Sequence, residues 1–240
     1  MMVKNHYFGC FMNIEQIQAV GHKKALYIAQ RMRPDFVFQM AKLEGNPFTF
    51  PEIQTTLSGI TVGGHKIGDQ QQVLDIAAGW QEIIRQVAGG EFVVSKENFI
   101  HINTIIARYE ALEVGAFRSG QVGIAGTDYR PPAAGEALEK AFEALLVNYA
   151  AAASIPEKAF GVFLDAARAQ FFYDGNKRTG QLMMSGILMS NGFAPLAIFA
   201  DAQLTYHRLM LDFYASGDKA AMLKFLAGQY GRIVEKFSEG

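Results

Sequence analysis

Two apolar helical patterns meet at a ten-residue interruption, Gln170-Phe-Phe-Tyr-Asp-Gly-Asn-Lys-Arg-Thr179, and that meeting point limits how the chain can fold. Upstream, Ser154 is a candidate N-cap with Pro156 in the first turn, and Phe160, Phe163, Leu164, Ala167 and Phe171 share one helical face. At about 100° per residue, Gln170 falls roughly 75° from the centre of that stripe, where its side chain can look across into a cleft. Asp174-Gly175-Asn176 is expected to break the helix, because glycine accepts the positive φ of a reversal and Asp and Asn tolerate turn geometry. A second helix is expected from Arg178, with Leu182, Met183, Gly186 and Ile187 facing inward.

A turn that feeds a helix N-terminus presents unpaired backbone N–H groups, and Lys177 and Arg178 add positive charge at the same place. The expectation is a phosphate-binding turn. Asp174 is the candidate ligand for a Mg²⁺ ion sharing such an anion's charge, since that metal uses one or two carboxylates plus phosphate oxygens. The same letters also fit an ordinary helix–turn–helix connection with a solvated surface.

Composition narrows the setting. Half of the 240 residues are hydrophobic and 19% are charged, a globular profile that suits one compact domain with an appended helical subdomain. The net charge of −1 gives no support to a general nucleic-acid surface. A single cysteine, Cys10, forms no internal disulfide, suits a reducing cytoplasm and reads as a small buried hydrophobe. No apolar run reaches membrane-spanning length, so the reading is a soluble, cytoplasmic protein without membrane or nucleic-acid partners. Cys and His show no metal-site spacing, and no Ser-centred elbow, Walker loop or dinucleotide fingerprint occurs.

The rest of the chain is helical in period. One helix is expected over Asn13 to Met32, ended by Arg33-Pro34, and another over Phe36 to Leu43 with Asp35 as its cap. Glu44 then sits at a helix C-terminus, where the macrodipole is negative; it calls for a cationic partner or lies open to solvent. Thr49-Phe-Pro-Glu52 is a capping box, Ile60 to Asp69 a turn or short hairpin, and the helix from Val73 to Val87 buries Trp80. Ser95 opens a helix carrying Phe99, Ile102 and Ile106, with His101 and Arg108 at the surface or satisfied. Gly115 to Gly126, glycine-rich with Val122 and Ile124 alternating, is the one β signal, a short hairpin or flap whose edge can pair with another chain. A further helix carries Leu138, Phe142 and Leu145, and two more close the chain.

These residues resemble a known family. Gln170 to Arg178 is similar to the Fic/Doc (Fido) signature, written HxFx(D/E)GN(G/K)R, with Gln170 in place of the opening histidine. Gly115-Ala-Phe-Arg118 with Val122-Gly-Ile-Ala-Gly126 and Tyr129-Arg-Pro-Pro132 resembles the flap that pairs with a target peptide. Leu43-Glu44-Gly45-Asn46-Pro47 resembles the inhibitory-helix region of members with (S/T)xxxE(G/N) upstream of the core. The resemblance implies an all-α Fic-type fold with a short β-hairpin flap, an N-terminal helical region over 1–92 with the inhibitory-like segment, and a core over 93–240.

It also implies ATP with its phosphates on the turn and AMP transfer to a target hydroxyl. Carried over, Gly175 and Asn176 shape the anion hole, Lys177 and Arg178 contact phosphate, Asp174 holds Mg²⁺, and Val122, Gly123 and Ile124 receive a protein target; a homodimer is left open. Gln170 stands where the base belongs, and an amide has no titratable nitrogen, so AMP transfer is expected to be feeble or absent. A nucleotide-sensing or partner-binding pseudoenzyme is one alternative, and phosphoryl transfer of the Doc kind, which Lys177 favours, is another. The later motif arginine is Gln181 here and Met40 replaces the usual Ser/Thr, so an inhibitory role for Glu44 cannot run through that arginine; Arg178 is the partner left to it.

Overall fold

The computed structural model describes residues 12–238. The fold is all-α: α1 (His22–Arg31), α2 (Arg33–Leu43), α3 (Phe50–Leu57), α4 (Ile67–Ala88), α5 (Lys96–Ala107), α6 (Glu136–Ala151), α7 (Ile155–Ala169), α8 (Asn176–Ser190), α9 (Gln203–Ser216) and α10 (Ala220–Ser238). Short 3₁₀ turns cover Ile14–Gln16 and Ala200–Ala202. No described helix is long and apolar enough to cross a membrane. Cys10, read as a small buried hydrophobe, lies outside the described residues.

α8 is the axis of the molecule. Only its inward stripe was expected to be covered, yet Arg178 to Met189 is buried without interruption, because α7, α4, α5 and α1 pack around it. A helix apolar on all sides has no solvent face to offer, and polar side chains within it must find partners inside the protein. α7 approaches most closely: a Cβ on Gly180 would sit 3.0 Å from the Phe163 ring and 3.3 Å from its carbonyl oxygen, so the crossing depends on glycine. One continuous apolar cluster runs from Ile17 to Ile233 and includes Trp80, as expected, stacked on Phe36 at 4.8 Å.

Several boundaries differ from expectation for identifiable reasons. The helix expected over Asn13 to Met32 is a 3₁₀ turn followed by α1, because the Val20 and Gly21 amides donate to the Gly192 carbonyl (2.8 and 2.9 Å) and Gly21 takes φ +93°. Arg33-Pro34 begins α2 instead of ending α1: proline is tolerated in a first turn, where no amide partner is needed. Asp35 is therefore inside the first turn, paired with Lys236 of α10. Residues 60–66 are turns without strands.

The expected β-hairpin also does not form. Residues 108–135 contain turns and irregular backbone, and no strand occurs among the described residues. A two-stranded ribbon has little stability of its own, and nothing here offers it a third strand. Side chains tether the loop instead, as described below. His101 and Arg108 are satisfied as expected, by Glu82 (3.0 Å) and Asp75 (2.8 Å).

Candidate functional site

The site begins where α7 stops. Ser154 and Glu157 form a reciprocal capping box at its start, and the helix ends at Ala169, earlier than the Asp174 break that was expected. Gln170 is the C-cap, at φ +51°, ψ +61°, the one non-glycine residue described with positive φ. That conformation costs an L-residue on the order of 1 kcal/mol. Its side chain offsets this locally: Nε2 donates to the Ala167 carbonyl (2.6 Å), and Oε1 accepts from Asn176 Nδ2 (3.1 Å).

Asn176 closes the turn from the far side. Its Oδ1 accepts the Phe172 amide (2.9 Å) and its Nδ2 donates to the Phe172 carbonyl (2.7 Å). Gly175, at φ +74°, is the N-cap of α8, which starts at Asn176 instead of Arg178. A side chain there would be strained by φ, and its Cβ would lie 3.0 Å from both Ala107 Cβ and Asn103 Nδ2. No side chain caps α8, so the amides of its first turn have no side-chain acceptor and carry the positive end of the helix dipole.

Charged groups converge on this helix start. Arg178 is only 2% exposed. Its Nη2 donates to Glu110 Oε2 (2.5 Å) and Asp174 Oδ1 (3.0 Å), and its Nη1 donates to the Ile106 carbonyl (3.2 Å). Burial alone would lower the Arg178 pKa, but the charges of Glu44, Glu110 and Asp174 outweigh it and hold the pKa above its ordinary value. Glu44, at the C-cap of α2, finds its cation in Lys177 at 3.4 Å, so it is not simply open to solvent. It acts on Arg178 through space, while Glu110 makes the direct pair.

Glu44, Gln170, Tyr173, Asp174, Gly175, Asn176, Lys177 and Arg178 line one open pocket of about 130 Å³. The structure thus brings together every expected residue of the motif, and Glu44 with them. Val122, Gly123 and Ile124 lie outside that lining, on the neighbouring loop. A space this small compares with a phosphate group or two and falls below the range for whole drug-sized ligands, roughly 300–1,000 Å³. Asp174 keeps one oxygen for Gly175 N and Arg178; its other oxygen has no partner among the described residues, and the side chain is 48% exposed. That donor set suits Mg²⁺ bound together with phosphate oxygens. No group of three or more His, Cys, Asp or Glu side chains able to hold a metal alone occurs among the described residues.

The comparisons fall on the same segment. Residues 93–188 match the model of the Fic/DOC family. This stretch is a Fic/DOC family domain. Protein adenylyltransferase Fic of Drosophila mojavensis is 24% identical over 204 residues, covering 80% of this chain and 38% of its own length. The protein of the same name from Aedes aegypti is 24% identical over 206 residues, covering 84% and 41%. The chain therefore spans about two fifths of the length of the curated relatives it matches. Among solved structures, a Fic domain containing signaling protein from Bacteroides thetaiotaomicron superposes with a TM-score of 0.73 at 17% identity, covering 92% of this chain and 90% of that one. A fragment of Fic-1 from C. elegans gives 0.73 at 16% identity, covering 91% and 73%. Both share the fold of the Fic domain found here.

Three residues outside the motif support this pocket and were not anticipated in those roles. Asn103 of α5 donates to the Asp174 carbonyl (2.9 Å) and to Thr179 Oγ1 (3.1 Å). A signal existed for it: Asn103 falls four residues after Phe99 and three before Ile106, a polar letter on an apolar stripe. Arg118, 2% exposed, donates to the carbonyls of Gln170 (2.6 Å), Gly120 (2.7 Å) and Pro132 (2.5 Å), while its amide donates to Phe171 (2.9 Å). Its burial pushes the guanidinium pKa down against the opposing influence of Tyr173. Glu110 gave no signal, because it follows the end of α5, where no periodicity marks a direction.

Proposed function

We propose that the cleft binds ATP through its phosphates and that AMP transfer to protein hydroxyls is weak or absent in this chain. The similarity to proteins named protein adenylyltransferase supports the first half. The observation that carries the second is Gln170: it lines the pocket with its amide committed to Ala167 and Asn176, and it has no nitrogen able to take a proton at neutral pH. Loss of a general base typically lowers a rate by about 10²–10⁴-fold while phosphate binding, which uses other groups, persists. A nucleotide-sensing or partner-binding role is the reading that the same residue favours.

In this proposal the α8 amides, Lys177 and Arg178 hold the phosphates, and Asn176 keeps the turn in shape. Asp174 would hold Mg²⁺, which when bound shares the charge of the polyphosphate. Val122, Gly123 and Ile124 would receive a target segment; none makes a backbone–backbone hydrogen bond among the described residues, which leaves their amides and carbonyls open to pairing.

The test is transfer from labelled ATP into lysate proteins by the wild type beside Gln170→His. Labelling by the histidine variant alone is expected. Equal labelling by the wild type would overturn the attenuated reading, and label arriving from the γ- instead of the α-phosphate would replace AMP transfer by phosphoryl transfer. Asp174→Ala and Arg178→Ala should weaken ATP binding measured by calorimetry; unchanged affinity in both would remove the pocket assignment.

A further inference from the structure

A second cavity lies along α7, away from the phosphate turn. α7 contributes Gly161 and Val162, the end of α6 contributes Tyr149 and Ala152, and Lys219 and Leu223 come from the start of α10. At about 280 Å³ it is about twice the size of the phosphate cleft and close to the lower end of the range for small-molecule sites, roughly 300–1,000 Å³. Gly161 stands nine residues before Gln170, roughly 14 Å along the chain at 1.5 Å per residue, and the two spaces share no lining residue.

Gly161 is the residue that the fold itself does not require. A glycine within a helix is destabilising relative to alanine, so it needs a reason. Gly79, Gly180 and Gly186 have one in packing: a Cβ on each would lie 2.4 Å from Ile106, 3.0 Å from Phe163 and 2.2 Å from Phe92. A Cβ on Gly161 would meet nothing within 4 Å. Gly228 of α10 is equally open but does not line this cavity. At Gly161 the cavity therefore meets bare helix backbone, with the Tyr149 ring and Leu223 also in its lining, and a flat apolar group has room to lie in contact with all three.

The charges in the lining favour an anion. Lys158 carries its ammonium over the Tyr149 ring at 5.4 Å and has no carboxylate partner among the described residues. Lys219 donates to Asp165 Oδ1 (2.6 Å), whose other oxygen accepts from Asn148 Nδ2 (3.1 Å), and its ammonium keeps donors to spare. Glu157, the one carboxylate in the lining, is engaged in the α7 capping box, with Oε2 accepting from the Ser154 amide (2.9 Å) and hydroxyl (3.1 Å). We propose that this cavity is a second small-molecule site, which takes a planar aromatic carboxylate of one or two fused rings. The ring lies over Gly161 between Tyr149 and Leu223, and the carboxylate is held by Lys158 and Lys219. The site stands apart from the nucleotide reading and does not depend on it.

The experiment is titration of the full chain with 2-naphthoate and, separately, with its neutral carboxamide, followed by amide nitrogen–proton correlation spectra and by calorimetry. The variants are Gly161→Leu, Gly161→Ala and Lys158→Gln beside the wild type, with each melting curve recorded. Naphthoate should shift the amides of Gly161 and Leu223 and leave that of Gly175 in place. Gly161→Leu fills the space above the backbone and should weaken binding by more than about tenfold without lowering the melting temperature. Gly161→Ala should lose severalfold and carries the same test if the larger side chain disturbs the fold. Lys158→Gln keeps the shape of the cavity and should lose about three- to tenfold, and the carboxamide should bind the wild type more weakly by a similar factor. No shifts at millimolar naphthoate, shifts centred on Gly175 instead, or unchanged affinity in the folded Gly161 variants would overturn the site. Equal affinity for the carboxylate and the carboxamide would overturn the assignment of an acid as its ligand.

Discussion

The turn at residues 170–179 and the loop at residues 108–135 lie against each other and are held by opposite means. In the turn, Gln170, Asp174, Asn176 and, from α5, Asn103 each make side-chain bonds that fix the same few backbone groups. In the loop, one side chain does most of this: Arg118 ties Gln170, Gly120 and Pro132 together, helped by the stack of Phe117 on Phe171 at 4.7 Å. Redundant bracing gives the turn one geometry. Other contacts hold the loop at its ends, Glu110 on Arg178 at one and Tyr129 against Arg168 and Tyr214 at the other, so Arg118 carries its middle.

The largest expected effect comes from breaking the turn where bracing cannot help. Gly175→Val forces a β-branched residue to φ +74° with its Cβ against Ala107 and Asn103. A loss of about 3–4 kcal/mol is expected, read from the urea midpoint. A loss under about 1 kcal/mol would mean that the turn relaxes into another shape and that its rigidity is overstated.

Arg118→Met should come next and act on the other region. It leaves three carbonyls without their donor, for about 2–3 kcal/mol, and the loss should be concentrated in the loop. Limited proteolysis within residues 108–135 should accelerate far more than within residues 155–190. Uniform acceleration would show that the loop and the turn open as one unit.

Asn103→Ala tests redundancy itself. It removes the donor to Asp174 O and Thr179 Oγ1, yet Asn176 still closes the turn, so about 1–2 kcal/mol is expected in the thermal midpoint. A loss as large as that of Gly175→Val would mean that Asn103, not the turn's own side chains, holds the geometry.

How far the sequence revealed this contrast follows from the kind of interaction involved. The α7 start was legible because a capping box is local: Ser154 and Glu157 are three residues apart and satisfy each other. The convergence of Gln170, Asp174, Asn176, Lys177 and Arg178 on one pocket was legible because all sit within nine consecutive residues. Glu110 and Arg118 were not, since each earns its place from partners 68 and 52 residues away that no periodicity connects. The loop misled for a related reason. Alternating Val122 and Ile124 fit a strand, but a strand needs a neighbour, and the helical fold supplies none. Gln170 misled by one step: its position at the edge of the α7 face was a helical inference, whereas the residue has already left the helix at φ +51°.

That last detail gives the smallest effect and the finest test of how the turn is held. Gln170 carries two opposing contributions, the strain of its left-handed backbone and the two bonds made by its amide. Gln170→Ala keeps the strain and loses the bonds, so it should fall by about 1–2 kcal/mol. Gln170→Gly loses the same bonds but removes the strain, and at a position already in the left-handed region this offsets most of the difference, leaving a net change within about 1 kcal/mol of wild type. Measured side by side by urea denaturation, a gap between the two variants identifies backbone strain as a real term at this corner. Equal losses would mean that the amide bonds and the Arg118 grip on the Gln170 carbonyl define the corner alone, and that the positive φ is held without appreciable cost.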